Sequence, residues 1–150
     1  ISNKTSRLYQ ALVDTELAVS LGGGLTATID PFLHTIVATV HPESNPEAVV
    51  AAIDQEISQV QESPPSQEDV DRAVKQARAL FAYGSESITN QAFWMGYAEI
   101  FDTYDWFLNY LDRLADVTPE QIQRITQTYM RSSNRVLGVY RPVENGEVRA

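Results

Sequence analysis

The chain has 150 residues, 43% hydrophobic and 21% charged, with 20 acids against 11 Lys and Arg and a net charge of −9. That length suits one domain able to bury roughly 68–70% of its unfolded surface, and the acidic surface repels phosphate backbones, which argues against nucleic acid as a partner. With no cysteine, disulfides, thiolate catalysis and cysteine-held zinc are excluded, and no apolar run approaches the ~18 residues of a membrane span.

The first predicted element is a helix near residues 6–16. Leu8, Ala11, Leu12 and Thr15 share one face, and Thr5 or Ser6 is the cap. It runs into a strand, Leu17 to Ile29, with no loop between them. Val19, Leu21, Leu25, Ala27 and Ile29 share one parity of that strand, and Gly22-Gly23-Gly24 interrupts it. Asp30-Pro31 makes a turn, and Phe32 to Val40 returns as a second strand rich in β-branched residues.

Helices dominate the rest. Ser44-Asn45-Pro46-Glu47 starts one, with Val49, Val50, Ile53, Ile57 and Val60 on one side. Ser63-Pro64-Pro65 ends it. Ser66-Gln67-Glu68-Asp69 opens the next, carrying Val70, Ala73, Val74, Ala77, Leu80 and Phe81. Ile88 to Phe101 and Tyr104 to Ala115 follow. Thr118-Pro119-Glu120-Gln121 has the cap, first-turn proline and third-position glutamine of a helix start, and Ile122, Ile125, Tyr129 and Met130 are the expected buried side. Arg135 to Tyr140 reads as a last strand, stopped by Pro142. The fold class is therefore α+β: a small antiparallel or mixed sheet, made of a hairpin plus a distant C-terminal strand, covered by about six helices. The expected domain spans residues 1–142, with a polar tail over 143–150.

Several stretches carry a resemblance. Ser6 to Ser20 resembles the segment S-R-L-(F/Y)-Q-x-L…L-A-x-S in the non-catalytic repeats of pitrilysin/insulinase-type zinc metallopeptidases. Ser66 to Ala77, "SQEDVDRAVKQA", is similar to that family's (T/S)-x-E-E-(L/V)-x-R-A-x-x-Q helix. Val117 to Tyr129, "VTPEQIQRITQTY", is similar to its penultimate helix. Ser132 to Pro142, "SSNRVLGVYRP", resembles its closing strand. The four occur in the family's order and cover nearly the whole chain.

The resemblance implies a repeat that, with others, encloses a peptide chamber. It also implies that zinc sits in a different repeat, bearing His-x-x-Glu-His, where zinc-activated water attacks the peptide bond and the motif's glutamate acts as base. This chain has no such motif and only two histidines. It reads as the later part of a non-catalytic, C-terminal-type repeat, truncated at its N-terminus and inactive alone, with no cofactor of its own. Its implied partners are the catalytic repeat, in the same or another chain, and the peptide substrate. One departure is notable. Some partner repeats carry a substrate-touching Arg and Tyr in L-R-E-K-x-x-L-A-Y; the matching positions here are Val13 and Val19, and neither side chain can hydrogen-bond. Two alternatives stand beside this reading: a structural core-type subunit of the same fold without proteolysis, and an unrelated acidic helical protein-interaction module.

The remaining candidates have structural explanations. His34 and His41 lie an odd number of residues apart in an extended segment, so their side chains leave opposite faces and cannot share a metal. His34 reads as core or half-buried, and His41 as exposed. The acid pairs Glu68/Asp69 and Asp102/Asp105 read as charge at helix starts. The aromatic group from Phe93 to Tyr110 reads as a helix–helix core, since no basic residue interleaves with it. Gly22, Gly23 and Gly24 lack the helix and lysine of a phosphate loop. They read as a bulge or close backbone approach, and functionally as an edge free of side chains where an extended peptide adds a strand. An unpaired hairpin edge would also favour self-association.

Overall fold

The computed structural model describes residues 3–25, 28–30 and 32–142. Among these, helix α1 (Arg7–Leu12) leads into strands β1 (Ala18–Leu25) and β2 (His34–Val40). Helices α2 (Pro46–Glu62), α3 (Gln67–Gly84), α4 (Ile88–Phe101), α5 (Tyr104–Leu108), α6 (Tyr110–Ala115) and α7 (Pro119–Tyr129) follow, then one 3-10 turn, Ser132–Asn134. The class is α+β, as the sequence implies. Ala27, Pro31 and the tail from Val143 lie outside the described residues.

The helix starts follow their sequence signals. Ser6, Asn45, Ser66, Ser87 and Thr118 each accept a first-turn N–H at their own helix. At α7 the box is complete: Gln121 N donates to Thr118 Oγ1 at 3.3 Å, and Thr118 N donates to Gln121 Oε1 at 3.0 Å. Four orphan N–H groups at each helix start make such caps worth about 1 kcal/mol apiece.

The β1–β2 hairpin is antiparallel and packs one face on α1 and α2. A lone hairpin is marginal in water, so this packing stabilises it. The core consists of Leu12, Ala18, Leu21 and Val49, surrounded by Leu8, Tyr9, Ile36, Ala38, Val40 and Ile53. Arg7 Nε bonds Glu56 at 2.9 Å, and its guanidinium also reaches Gln59, which pins α1 to α2.

The structure corrects several sequence expectations. Helix α1 stops at Leu12, because Val13 N and Asp14 N both converge on the Tyr9 carbonyl. A turn follows, with Glu16 in the left-handed region at φ 60°. The register then slips between Ala18 and Ser20. Such a bulge reverses which parity faces inward. Ala18 and Leu21 are therefore buried, whereas Val19 is 51% exposed; Leu25 and Ile29, expected inside, are exposed as well. His34, at the far end of β2, is exposed and His41 is half-buried, the reverse of the expected pair.

The expected C-terminal strand is not part of the sheet, which has two strands among the described residues. A strand needs a neighbour's ladder, and residues 135–142 take up neither open edge of the hairpin. Residues 135–142 instead run along α2, where Arg135 pairs with Asp54 and Arg141 Nη2 with Glu47 at 3.2 Å. Val136 and Tyr140 are left 95% and 91% exposed.

The helix expected over Tyr104 to Ala115 divides at Asn109, which gives seven helices among the described residues. Both the main-chain N and the side-chain Nδ2 of Asn109 bond the Asp105 carbonyl, a local competition that interrupts a helix. Asp102 closes α4 instead of opening a helix. On α7 the inward residues are Pro119 and Thr126; Ile125 and Tyr129 are exposed. Gln123 and Gln127 face α2, where both donate to the Gln61 carbonyl.

Candidate functional site

Among the described residues, no helix covers the hairpin's second face. The register places Ser20 opposite Thr39, Gly22 opposite Val37 and Gly24 opposite Thr35 on that face. Ser20 Oγ donates to Thr39 Oγ1 at 2.9 Å, and Thr35 Oγ1 donates to the Gly24 carbonyl at 3.3 Å. Val37 is exposed. β1 reads AVSLGGGL and β2 reads HTIVATV, with no proline and no Asp, Glu, Lys or Arg. Each strand has one neighbour among the described residues, so each has an open edge. Charges and prolines are the usual protection of such edges, and neither strand carries one.

Gly22, Gly23 and Gly24 do not play equal parts. A Cβ on Gly23 would lie 2.1 Å from the Thr35 carbonyl oxygen and 2.8 Å from its carbon, and Gly23 has φ +126°. Here a close backbone approach requires glycine. Gly24 shares the unusual conformation at φ +154° but has nothing within 4 Å of its Cβ position; Gly22 has free space and no such φ. The result is a strip of backbone bare of side chains that offers no nucleophile or base.

The histidines do not form a centre. Seven residues of extended chain at about 3.3 Å each separate them by roughly 20 Å. His41 Nδ1 accepts from Glu43 N at 3.2 Å, and its main-chain N donates to the Leu17 carbonyl at 3.0 Å. No group of three or more His, Asp or Glu able to hold a metal occurs among the described residues. Val13 packs against the core, while Val19, at the bulge of β1, is exposed; they do not converge. Glu68 and Asp69 occupy the first turn of α3. There the Ser66 hydroxyl, bonded to Asp69 at 2.7 Å, holds the Asp69 carboxyl below its ordinary value; burial opposes this, and the neighbouring Arg72 adds to the lowering.

The aromatic group is a partly open stack. Phe81 meets Phe107 and Tyr110 at 5.2 and 5.5 Å between ring centres, and Phe93 meets Tyr97 at 5.7 Å. Phe107 is buried, but Phe93 is exposed. No helix among the described residues is long and apolar enough to cross a membrane.

Comparison with known proteins adds the decisive observation. The family model described as the peptidase M16 inactive domain matches residues 1–77. The chain belongs to that family. The inactive peptidase domain of a putative zinc protease from Bordetella parapertussis is 25% identical, with a TM-score of 0.84 over 97% of this chain and 79% of that one. A putative zinc protease from Bordetella pertussis Tohama I is also 25% identical, with a TM-score of 0.80 over 94% of this chain and 78% of that one. A protease from Helicobacter pylori shares the fold, at 19% identity and a TM-score of 0.80, over 88% of this chain and 32% of that one. No match occurs among curated proteins. An M16 inactive domain is what the resemblance to non-catalytic metallopeptidase repeats implies. It sets aside an unrelated helical module.

The outer-face partners Thr35, Val37 and Thr39 escape sequence reasoning. Only the register places them beside the glycines, and the bulge that fixes the register has no composition signal.

Proposed function

We propose that this M16 inactive domain is a non-catalytic segment of a zinc-dependent metalloendopeptidase. It helps to enclose a peptide chamber and binds peptide by strand addition at the hairpin edge, beside a His-x-x-Glu-His repeat that carries the zinc. The observation that carries this reading is the family match of residues 1–77, together with uncharged strand edges around Gly22–Gly24. Main-chain hydrogen bonds supply affinity in this mode, and no catalytic group is required of the strand that is extended. The same edge can pair with a second copy, which makes self-association a competitor of peptide.

The test is a titration of the isotope-labelled chain with an unstructured peptide. The amide signals of Gly22 to Gly24 shift with the plain peptide and not with one N-methylated at every residue, which has no main-chain N–H to donate. Equal shifts with both peptides overturn strand addition. Val13 and Val19 stand where the resemblance puts the Arg and Tyr of some partner repeats, which favours a repeat next to the zinc repeat or a degenerate partner; the second reading is a structural subunit without proteolysis. Mixing the chain with its zinc-bearing repeat separates the two, since hydrolysis sensitive to chelation occurs only under the first.

A further inference from the structure

A second feature lies between α3 and α6 and includes no hairpin residue. α3 and the end of α6 leave an open groove of about 300 Å³ between them, lined by Val70, Asp71, Val74, Lys75 and Arg78 of α3, by Ala115 of α6 and by Val117 just beyond it. This lies at the lower end of the size range of small-ligand sites. Val70 is buried, and Val74 and Val117 are half-buried, so the floor is aliphatic.

The rim is charged in an ordered way. Asp71, Lys75 and Arg78 stand at i, i+4 and i+7, which sets them along one face of α3 over about 10 Å at 1.5 Å per residue. Asp71 Oδ1 accepts from Gln67 Nε2 at 2.8 Å. Lys75 and Arg78 pair with no acid among the described residues, although the chain has 20 acids to 11 bases. Four other arginines do find carboxylates. Two adjacent unpaired cations above a valine floor are complementary to a carboxylate attached to a branched aliphatic group.

We propose that this groove binds the carboxyl-terminal residue of a peptide ending in Val, Leu or Ile. The terminal carboxylate lies between Lys75 and Arg78, the aliphatic side chain enters over Val70, Val74 and Val117, and the last peptide N–H faces Asp71. Arg supplies a two-pronged contact and Lys a point charge. Asp71 sets direction: it repels a carboxylate placed at its own end and accepts a donor there. None of the hairpin residues takes part.

The experiment titrates the methyl-labelled 150-residue chain with acetyl-Ala-Ala-Leu as the free acid, the same peptide as its amide, and 4-methylpentanoate. The free acid moves the methyl signals of Val70, Val74 and Val117, and amidation weakens binding at least about tenfold because the charge-assisted bonds are lost. 4-Methylpentanoate, which lacks the N–H, binds more weakly than the peptide acid. Lys75→Gln and Arg78→Gln each weaken binding about three- to tenfold, with their unliganded methyl spectra otherwise unchanged. Arg124→Gln, at another unpaired cation outside the groove, leaves it as it was. The proposal falls if the amide or 4-methylpentanoate binds as tightly as the peptide acid. It also falls if Arg124→Gln has the effect of Arg78→Gln, or if the three valines stay still up to about 10 mM peptide, a Kd range in which even a weak −3 kcal/mol contact registers.

Discussion

The side-chain amide of Gln61 donates to the main-chain carbonyl of Met130 at 2.9 Å, and in the same contact reaches the Thr126 carbonyl at 3.3 Å. The Gln61 carbonyl in turn accepts from Gln123 Nε2 at 3.0 Å and Gln127 Nε2 at 2.6 Å. The last turns of α2 and α7 thus satisfy each other. Neither has a basic residue there, so amides serve the orphan carbonyls that a cation would otherwise complement. Replacing Gln61 by Ala removes two donors to partly buried carbonyls and should cost about 1–3 kcal/mol. Urea unfolding measures this, with Gln127→Ala showing a smaller loss, because one donor goes and the Gln61 carbonyl retains Gln123.

That contact also shows what the sequence could and could not reveal. Thr118 and Gln121 are three residues apart, so their capping box is written locally. The partners of Gln61 lie 62 to 69 residues away, and nothing in either segment alone points to the other. For the same reason the sequence of α7 does not reveal that Gln123 and Gln127 face α2. The helix starts, the hairpin and the family pattern were legible because each rests on short-range spacing. The bulge at Val19 was not, because a one-residue slip leaves the composition of a strand unchanged while exchanging its faces. Gly23 was legible as a close approach, but its partner, the Thr35 carbonyl, emerges only from the register.

Leu12 is fully buried at the centre of the core, at 0% exposure. Leu12→Asp places an unpaired charge among Ala18, Leu21 and Val49, and should destabilise by more than about 3 kcal/mol. The milder Leu12→Ala, which leaves a cavity, should cost about 2–5 kcal/mol. A melting temperature for Leu12→Asp equal to that of the parent would show that α1 is not packed as described.

The glycines of β1 should respond unequally. Gly23→Ala drives a methyl into the Thr35 carbonyl and strains a positive φ, so the hairpin must open locally; a loss of about 2 kcal/mol or more follows. Gly22→Ala meets no atom within 4 Å, and should be neutral within about 0.5 kcal/mol. Amide exchange of β2 reports the difference directly: protection at Ile36 should collapse in the first variant and persist in the second.

Glu16 holds φ at 60°, a conformation that costs an ordinary residue about 1 kcal/mol. Gly removes that strain but enlarges the unfolded ensemble. Glu16→Gly should therefore be neutral to slightly stabilising, whereas Glu16→Val, with a β-branched side chain in the same conformation, should lose about 1–2 kcal/mol. If valine is tolerated as well as glycine, the turn between α1 and β1 does not depend on the left-handed residue.

The pH dependence at α3 has a definite sign. Hydrogen bonding from Ser66 is the largest influence on Asp69, burial acts against it, and the charge of Arg72 adds to the lowering; the net effect places the carboxyl below its ordinary 3.8. A depressed folded-state value means that the ionised group binds its surroundings better than the protonated one. Its contribution to stability is present above the unfolded value and is lost as the pH falls through the folded one. The loss should therefore begin near pH 4 and deepen below it, with no change from this group between pH 6 and 8. Nuclear magnetic resonance titration of the Asp69 carboxyl should find it below the unfolded value in the parent. It should rise toward that value in Ser66→Ala, with Arg72→Gln giving a smaller rise. A larger rise for Arg72→Gln than for Ser66→Ala would reverse the assigned order of causes and make charge, not hydrogen bonding, the main hold on this helix start.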